Sequence, residues 1–155
     1  MADVVSPEKR SQMMAGIKGK DTRPELLIRR ALHARGLRFR LHDRRLPGTP
    51  DLVFPSRKAV VFVEGCYWHG HDCHLFKLPS SRADFWSEKI ESNRRRDIRV
   101  RQELQILGWR QLTVWECALK GRARLSFPAV VDTIVEWLES SEPAGEIEGM
   151  RDGDR

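Results

Sequence analysis

The sequence is short of three things: long hydrophobic runs, cysteine and aromatic residues. No apolar stretch approaches the ~18 residues that a helix needs to cross a bilayer, so a helical membrane span is excluded. There are three cysteines, an odd number, and the N-terminus MADVVSPEKRSQMM has no secretory hydrophobic region. A cytoplasmic home is expected. There, thiols stay reduced, so metal binding or free thiols are the better reading than a disulfide framework. Aromatics make up 8% of the chain, with a single tyrosine. No internal repeat is visible, and 155 residues suit one domain with a real core.

Acidic residues outnumber basic ones at the C-terminal end, against the balance of the chain. Residues 139–155 hold six acidic side chains against Arg151 and Arg155, a balance of −4. The chain as a whole carries +6, so the other 138 residues carry +10, and residues 9–45 alone hold twelve Lys or Arg. That asymmetry points to a polyanionic partner, nucleic acid first.

Residues 1–20 read as a flexible basic arm that orders on a partner. Thr22-Arg-Pro-Glu25 is a capping box with proline in the first turn, and Leu27, Ile28, Ala31 and Leu32 form the apolar face of the helix that follows. Leu37, Phe39 and Leu41 alternate with polar residues as a half-buried strand. Asp51-Leu-Val-Phe is a short strand, and Ala59–Glu64 is apolar enough to be central and covered on both faces. Asp84–Leu107 is predicted to be a helix with a basic middle, Trp109–Trp115 a strand, and a last helix follows the Ser126 cap. From Ser140 to Arg155 a disordered acidic tail is expected, leaving 21–139 as the folded domain. The strand, crossover helix, strand unit makes 59–64 and 109–115 parallel neighbours, with antiparallel strands before them. The fold class is therefore α/β, a mixed sheet flanked by helices.

The stretch VEGCYWHGHDCHLF, residues 63–76, concentrates the chemistry. Cys66 lies two residues past one parallel strand and Cys117 two residues past its neighbour. Parallel neighbours end on the same rim, so the two cysteines should meet despite their separation. Cys73 returns through a tight loop, and a histidine supplies a fourth ligand for a structural Zn²⁺. His71 is preferred, with His69 and His74 as alternatives; buried free thiols are the competing reading.

Carboxylates suggest a second, harder cation. A short connector after Phe54 places Asp51 opposite Phe62, so Glu64 lands beside Asp51 on one sheet face. Two such carboxylates suit Mg²⁺, and Glu25 could add a third, although its capping role already explains it.

The blocks GTPDLVF, VFVEGCYWHGHDC, FWSEKIESNRRRD and LGWRQLTVWEC, in this order and spacing, resemble the very-short-patch repair (Vsr) endonucleases, from about Met13 to Leu138. The resemblance implies a restriction-endonuclease-like fold. It also implies nicking of double-stranded DNA on the 5′ side of the thymine in a T·G mismatch left by deamination of 5-methylcytosine. By position it implies Asp51 as the central Mg²⁺ ligand with the Val63 backbone carbonyl, and His69 as base or proton carrier helped by Asp97. Glu25 would hold a metal-bound water. Cys66, His71, Cys73 and Cys117 would bind the zinc. Tyr67, Trp68 and Trp86 would form an aromatic wedge entering the base stack, with Lys89, Asn93 and Arg94 on the DNA side of the long helix.

The chain departs from the pattern at two places. The lysine common in nucleases of this fold is absent after Glu64, which leaves its role to His69. The best-known family member carries His at the position of Glu64 and Thr at that of Val63; Glu64 is expected to make the site more acidic and is a candidate direct Mg²⁺ ligand. A monomer in the bacterial nucleoid, with a mismatch-repair protein as a further partner, completes the expectation. The rivals are a nuclease of this fold for another DNA structure and a non-catalytic, zinc-stabilised DNA-binding module.

Overall fold

Thr22 caps the first helix: its hydroxyl accepts the Glu25 backbone N–H at 3.4 Å. The structure, a computed structural model, describes residues 22–151, so the expected basic arm over 1–20 lies outside the described residues. Helix α1 runs Arg23–Ala34 and closes at Gly36, whose φ of +82° suits the left-handed turn. Leu37 N–H donates back to Leu32 O, so Leu37 belongs to this cap. The strand expected over 37–41 is therefore only Arg40–Leu41 (β1). Strands β2 (Leu52–Phe54) and β3 (Ala59–Glu64) form a hairpin around a single 3₁₀ turn at Pro55–Arg57. Helix α2 (Ala83–Ile106) crosses over to β4 (Arg110–Trp115), and α3 (Phe127–Glu139) follows, its Ser126 hydroxyl accepting from Ala129 N.

The sheet order is β1-β2-β3-β4-β5, with β5 at Ala144–Ile147. The first two pairings are antiparallel and β3 pairs with β4 in parallel, as the crossover argument requires; β5 adds a second parallel pairing that it did not include. Phe54 pairs with Ala59 and Leu52 with Val61, which is the expected register. Alternation along β3 splits the core in two. Ala59 and Val61 pack with Leu52, Ile28 and Leu32 of α1 and Val131 and Ile134 of α3. Val60 and Phe62 pack with Val53 and with Leu104 of α2 on the other face. Both faces of the central strand are thus covered, and its near-continuous burial follows.

The expectation of a disordered tail over 140–155 does not hold for residues 140–151; residues 152–155 lie outside the described residues. Ala144–Ile147 forms β5, parallel to β4, with Gln111 opposite Ala144 and Val114 opposite Ile147. Two interactions turn the chain back. The Arg110 guanidinium donates to the carbonyls of Trp137, Leu138 and Glu142. Gly145 lies so close to the Trp137 indole that a Cβ there would meet it at 3.0 Å. One buried apolar residue, Ile147, joins the core. That is too weak a pattern to outweigh the acidic composition when the sequence is read alone, and the folded domain extends beyond residue 139.

Candidate active site and metal centre

Strands β3 and β4 run side by side and finish together, with Glu64 opposite Trp115. Each chain then delivers a cysteine two residues further on. Cys117 N–H donates to Cys66 Sγ at 3.3 Å. The loop from Cys66 returns at once: His71 N–H donates to Cys66 O at 2.9 Å, and His71 Nδ1 lies 3.6 Å from Cys117 Sγ. Donor atoms of Cys66, His71, Cys73 and Cys117 all lie within 4.8 Å of one another. None of the cysteines is in a disulfide. Burial pushes the Cys66 and Cys117 thiols above their ordinary range, so as bare thiols they stay protonated. Three sulfurs and one imidazole converging under low solvent access form a closed four-donor set that could hold a metal ion. Of the three candidate histidines, His71 takes the fourth place. Its ring stacks on the buried Trp115 indole at 4.1 Å and 14°. Trp115 is thus the floor of the cluster.

On the other side of the same rim lies a cavity of about 410 Å³, lined among others by Asp51, Val63, Glu64, His69 and Asp97. Asp51 precedes β2, and its Oδ2 accepts the Val63 backbone N–H at 2.7 Å. Burial pushes the Asp51 carboxyl up to about 8; the Val63 hydrogen bond opposes this, and the Glu25 and Glu64 charges add to it. Asp51 and Glu64 share the cavity as expected, but their immediate partners differ. Asp51 groups with Glu25 and His42, and Glu64 with His69 and Asp97. Glu25, buried at the start of α1, meets His42 Nε2 at 2.8 Å, and His42 lies 3.8 Å from Asp51 Oδ1. The capping box therefore does not exhaust Glu25. Its backbone N–H meets the cap while its carboxylate faces the site.

His69 Nδ1 lies 2.6 Å from Asp97 Oδ2, on α2, and 3.6 Å from Glu64 Oε2. Burial works against the imidazolium, but the Asp97 hydrogen bond and the Glu64 and Asp97 charges outweigh it and hold His69 above its ordinary value. Glu64 is 9% exposed, and its Oε2 has no hydrogen-bond partner. A buried carboxylate oxygen without a donor, facing further carboxylates, fits a site that takes a hard cation.

Beside this cavity, Tyr67, Trp68 and Trp86 make one aromatic cluster, with ring centroids 5.1–6.1 Å apart, and all three are half-buried. Phe85, next to Trp86, is 46% exposed. Two of the basic-helix residues expected at DNA also brace the aromatic loop. Asn93 Nδ2 donates to Trp68 O at 2.8 Å, and the Arg94 guanidinium donates to Gly70 O. Gly70 has φ +61°, and a Cβ there would collide with Arg94 and Ile90. Lys89 is exposed on the same helix.

Sequence reasoning missed two residues. His42 read only as the polar partner in an alternating strand, and nothing local announces that it bridges Glu25 and Asp51. Glu148 was counted among the acidic tail, yet its Oε2 lies 2.9 Å from His71 Nε2.

Comparison with known proteins bears on what this rim belongs to. A model of the family described as DNA mismatch endonuclease Vsr matches residues 2–75. The chain is 55% identical over 119 residues to the type II nicking enzyme V.XorIIP of Xanthomonas oryzae pv. oryzae, covering 77% of this chain and 88% of that one. It is 46% identical over 138 residues to the DNA mismatch endonuclease Vsr of Escherichia coli, covering 89% and 88%. It is 45% identical over 123 residues to the type II nicking enzyme V.NmeAIP of Neisseria meningitidis, covering 79% and 88%. With this likeness spanning both the carboxylate cavity and the cysteine cluster, the chain belongs to the Vsr family of DNA endonucleases.

Proposed function

We propose that this endonuclease nicks duplex DNA on the 5′ side of the thymine in a T·G mismatch, by Mg²⁺-dependent hydrolysis. The observation that carries the reading is the pairing of two features on one sheet rim. The His69–Asp97 pair and the Asp51 carboxylate share a cavity, and Tyr67 and Trp68 stand on the loop that begins at the same strand end, against Trp86 of α2.

In this reading Asp51 would be the central residue holding Mg²⁺, with the Val63 carbonyl and Glu64 as further candidate ligands, and Glu25 would orient a water at the site. The ion, when bound, supplies a lower pKa to water and neutralises charge at the phosphate. The chain's own contribution is positional. Asp97 accepts a hydrogen bond from His69 Nδ1–H, which leaves Nε2 as the nitrogen that takes a proton from the attacking water and later gives it to solvent, while the leaving 3′ oxygen is protonated from water. Tyr67, Trp68 and Trp86 enter the base stack beside the mispair. Unstacking is least costly where pairing is already weak, so the wedge turns a poor base pair into selectivity. Lys89, Arg94 and neighbouring arginines meet the phosphate backbone.

Zn²⁺ is the ion we assign to Cys66, His71, Cys73 and Cys117, because a closed S₃N set suits it and not Mg²⁺. Its role is to stiffen the loop, since a floppy support would fold back instead of opening the stack.

A panel of end-labelled duplexes tests the function: T·G mismatch, normally paired, and branched, each with and without Mg²⁺. The expected result is a single-strand nick in the T·G duplex only, and only with Mg²⁺. Equal cutting of branched or fully paired DNA would overturn the substrate assignment. Binding without cutting under every condition would favour a non-catalytic module. Elemental analysis of purified protein tests the zinc: one equivalent is expected, and three freely reactive thiols without zinc would remove it.

A further inference from the structure

The chain does not leave the sheet after β5; it runs into the cysteine cluster. Glu148 Oε2 lies 2.9 Å from His71 Nε2, so the carboxylate accepts a hydrogen bond from Nε2–H and favours the neutral tautomer whose bare Nδ1 faces Cys117 Sγ. Gly149 N–H donates to Cys117 Sγ at 3.2 Å, and Met150 N–H to Ala123 O at 2.8 Å. Arg151 holds Glu148 from behind with Nε 2.9 Å from Oε1 and Nη2 3.0 Å from Oε2. Its third nitrogen donates to Asp72 O at 2.7 Å, in the loop between His71 and Cys73. A Cβ at Gly149 would lie 2.4 Å from Cys117 O, so only glycine permits this approach. Four successive residues, Glu148 to Arg151, thus each make a contact with the cluster or with a segment adjoining it.

We propose that Glu148 is a positioning residue that holds His71 on the metal ion, and that the strand-ending segment 148–151 is a clamp that closes the metal loop. The inference rests on the zinc reading above. A ligating imidazole whose other nitrogen donates to a carboxylate is fixed in tautomer and ring orientation and is a more basic ligand. Removing such a partner typically lowers metal affinity ~10–100-fold. Trp115 fixes the plane of the ring by stacking, and Glu148 fixes its rotation within that plane. Coupling is reciprocal: if the clamp holds the ion, the ion holds the clamp by the same free energy.

The full-length protein is titrated with Zn²⁺ against a chromogenic chelator, comparing the parent with Glu148→Ala, Glu148→Gln and Glu146→Ala. Glu148→Ala should bind zinc about 10–100-fold more weakly. Glu148→Gln keeps the shape and an acceptor oxygen but not the charge, so its loss should be smaller, and it decides the matter if the alanine variant fails to fold. Glu146→Ala, two residues away and exposed, should match the parent. Co²⁺ substitution reads the ligand set directly: Glu148→Ala should shift the visible ligand-field bands as His71 loosens, and Glu146→Ala should not. Zinc should also slow hydrogen exchange at the Gly149 and Met150 amides. Zinc affinity within twofold of the parent in both Glu148 variants, with unchanged Co²⁺ bands, would overturn the proposal. Equal exchange with and without zinc would do the same. A parent that takes up no zinc would instead sink the zinc reading itself, so the two failures are distinguishable.

Discussion

Replacing Asp51 with asparagine should stabilise the Mg²⁺-free protein while abolishing Mg²⁺-dependent nicking. In the folded chain the Asp51 carboxyl is pushed up to about 8 from an ordinary 3.8, chiefly by burial. Between roughly pH 4 and pH 8 the folded state therefore holds a proton that the unfolded state has released. Stability then falls as pH rises through that window, by about 1.4 kcal/mol per unit at full effect. Across four units the ceiling is about 5–6 kcal/mol. Asparagine does not titrate, so it removes this penalty, and its amide oxygen can still accept the Val63 N–H. Once pH passes the folded value the parent's bond gains charge assistance that asparagine lacks, about 1 kcal/mol, which offsets part of the gain. The expected net gain at pH 8 is about 1–3 kcal/mol, shrinking toward zero near pH 4. Urea unfolding followed by the fluorescence of the five tryptophans measures it at several pH values in Mg²⁺-free buffer. Mg²⁺ at about 1,000 times Kd should reverse the order, because the parent then gains about 4.1 kcal/mol and the variant gains little. An asparagine variant less stable than the parent at pH 8, or a gain indifferent to pH, would refute the crowded-carboxylate reasoning.

Three further outcomes follow from the same cavity and its aromatic neighbour. His69→Ala should cut the single-turnover nicking rate about 10²–10⁴-fold with duplex affinity little changed, as read by parallel cleavage and gel-shift assays. Asp97→Asn removes the negative charge and weakens the hydrogen bond that hold His69 above its ordinary value, so the imidazolium loses stability that is fully present below about pH 6.5 and fades as pH rises through the folded value. The acid limb of its pH–rate profile should accordingly move to lower pH; an unmoved limb would show that His69 is not the titrating base. Trp68→Ala should lose about 1–3 kcal/mol of preference for T·G over paired duplex in competition binding, and an unaltered preference would remove the indole from the wedge.

Much of the fold was legible because it is encoded locally. The caps at Thr22 and Ser126, the both-faces-apolar run Ala59–Glu64 and the turn at Gly36 depend on neighbours within a few residues, and each stands where local rules put it. The meeting of Cys66 and Cys117 was also legible, although the two lie 51 residues apart. Parallel pairing converts an equal offset past two strand ends into proximity, and register followed from the hydrophobic pattern. The sequence by itself thus determined the α/β order, the side of the sheet on which the chemistry gathers, and the kinds of donor present.

Tertiary structure alone decided how those donors are partitioned. Asp51 and Glu64 reach one cavity, but Glu25 and His42 crowd the first while His69 and Asp97 crowd the second, because α1 and α2 approach the rim from opposite faces of the sheet. The acidic C-terminal segment was misread for a related reason. Composition averages over a stretch, whereas β5 needs only Ile147 in the core, the Arg110 guanidinium at the turn and Glu148 against His71. Contacts between residues 30 to 80 positions apart leave no periodic trace in the chain, so a strand held chiefly by them becomes visible only once the sheet is assembled.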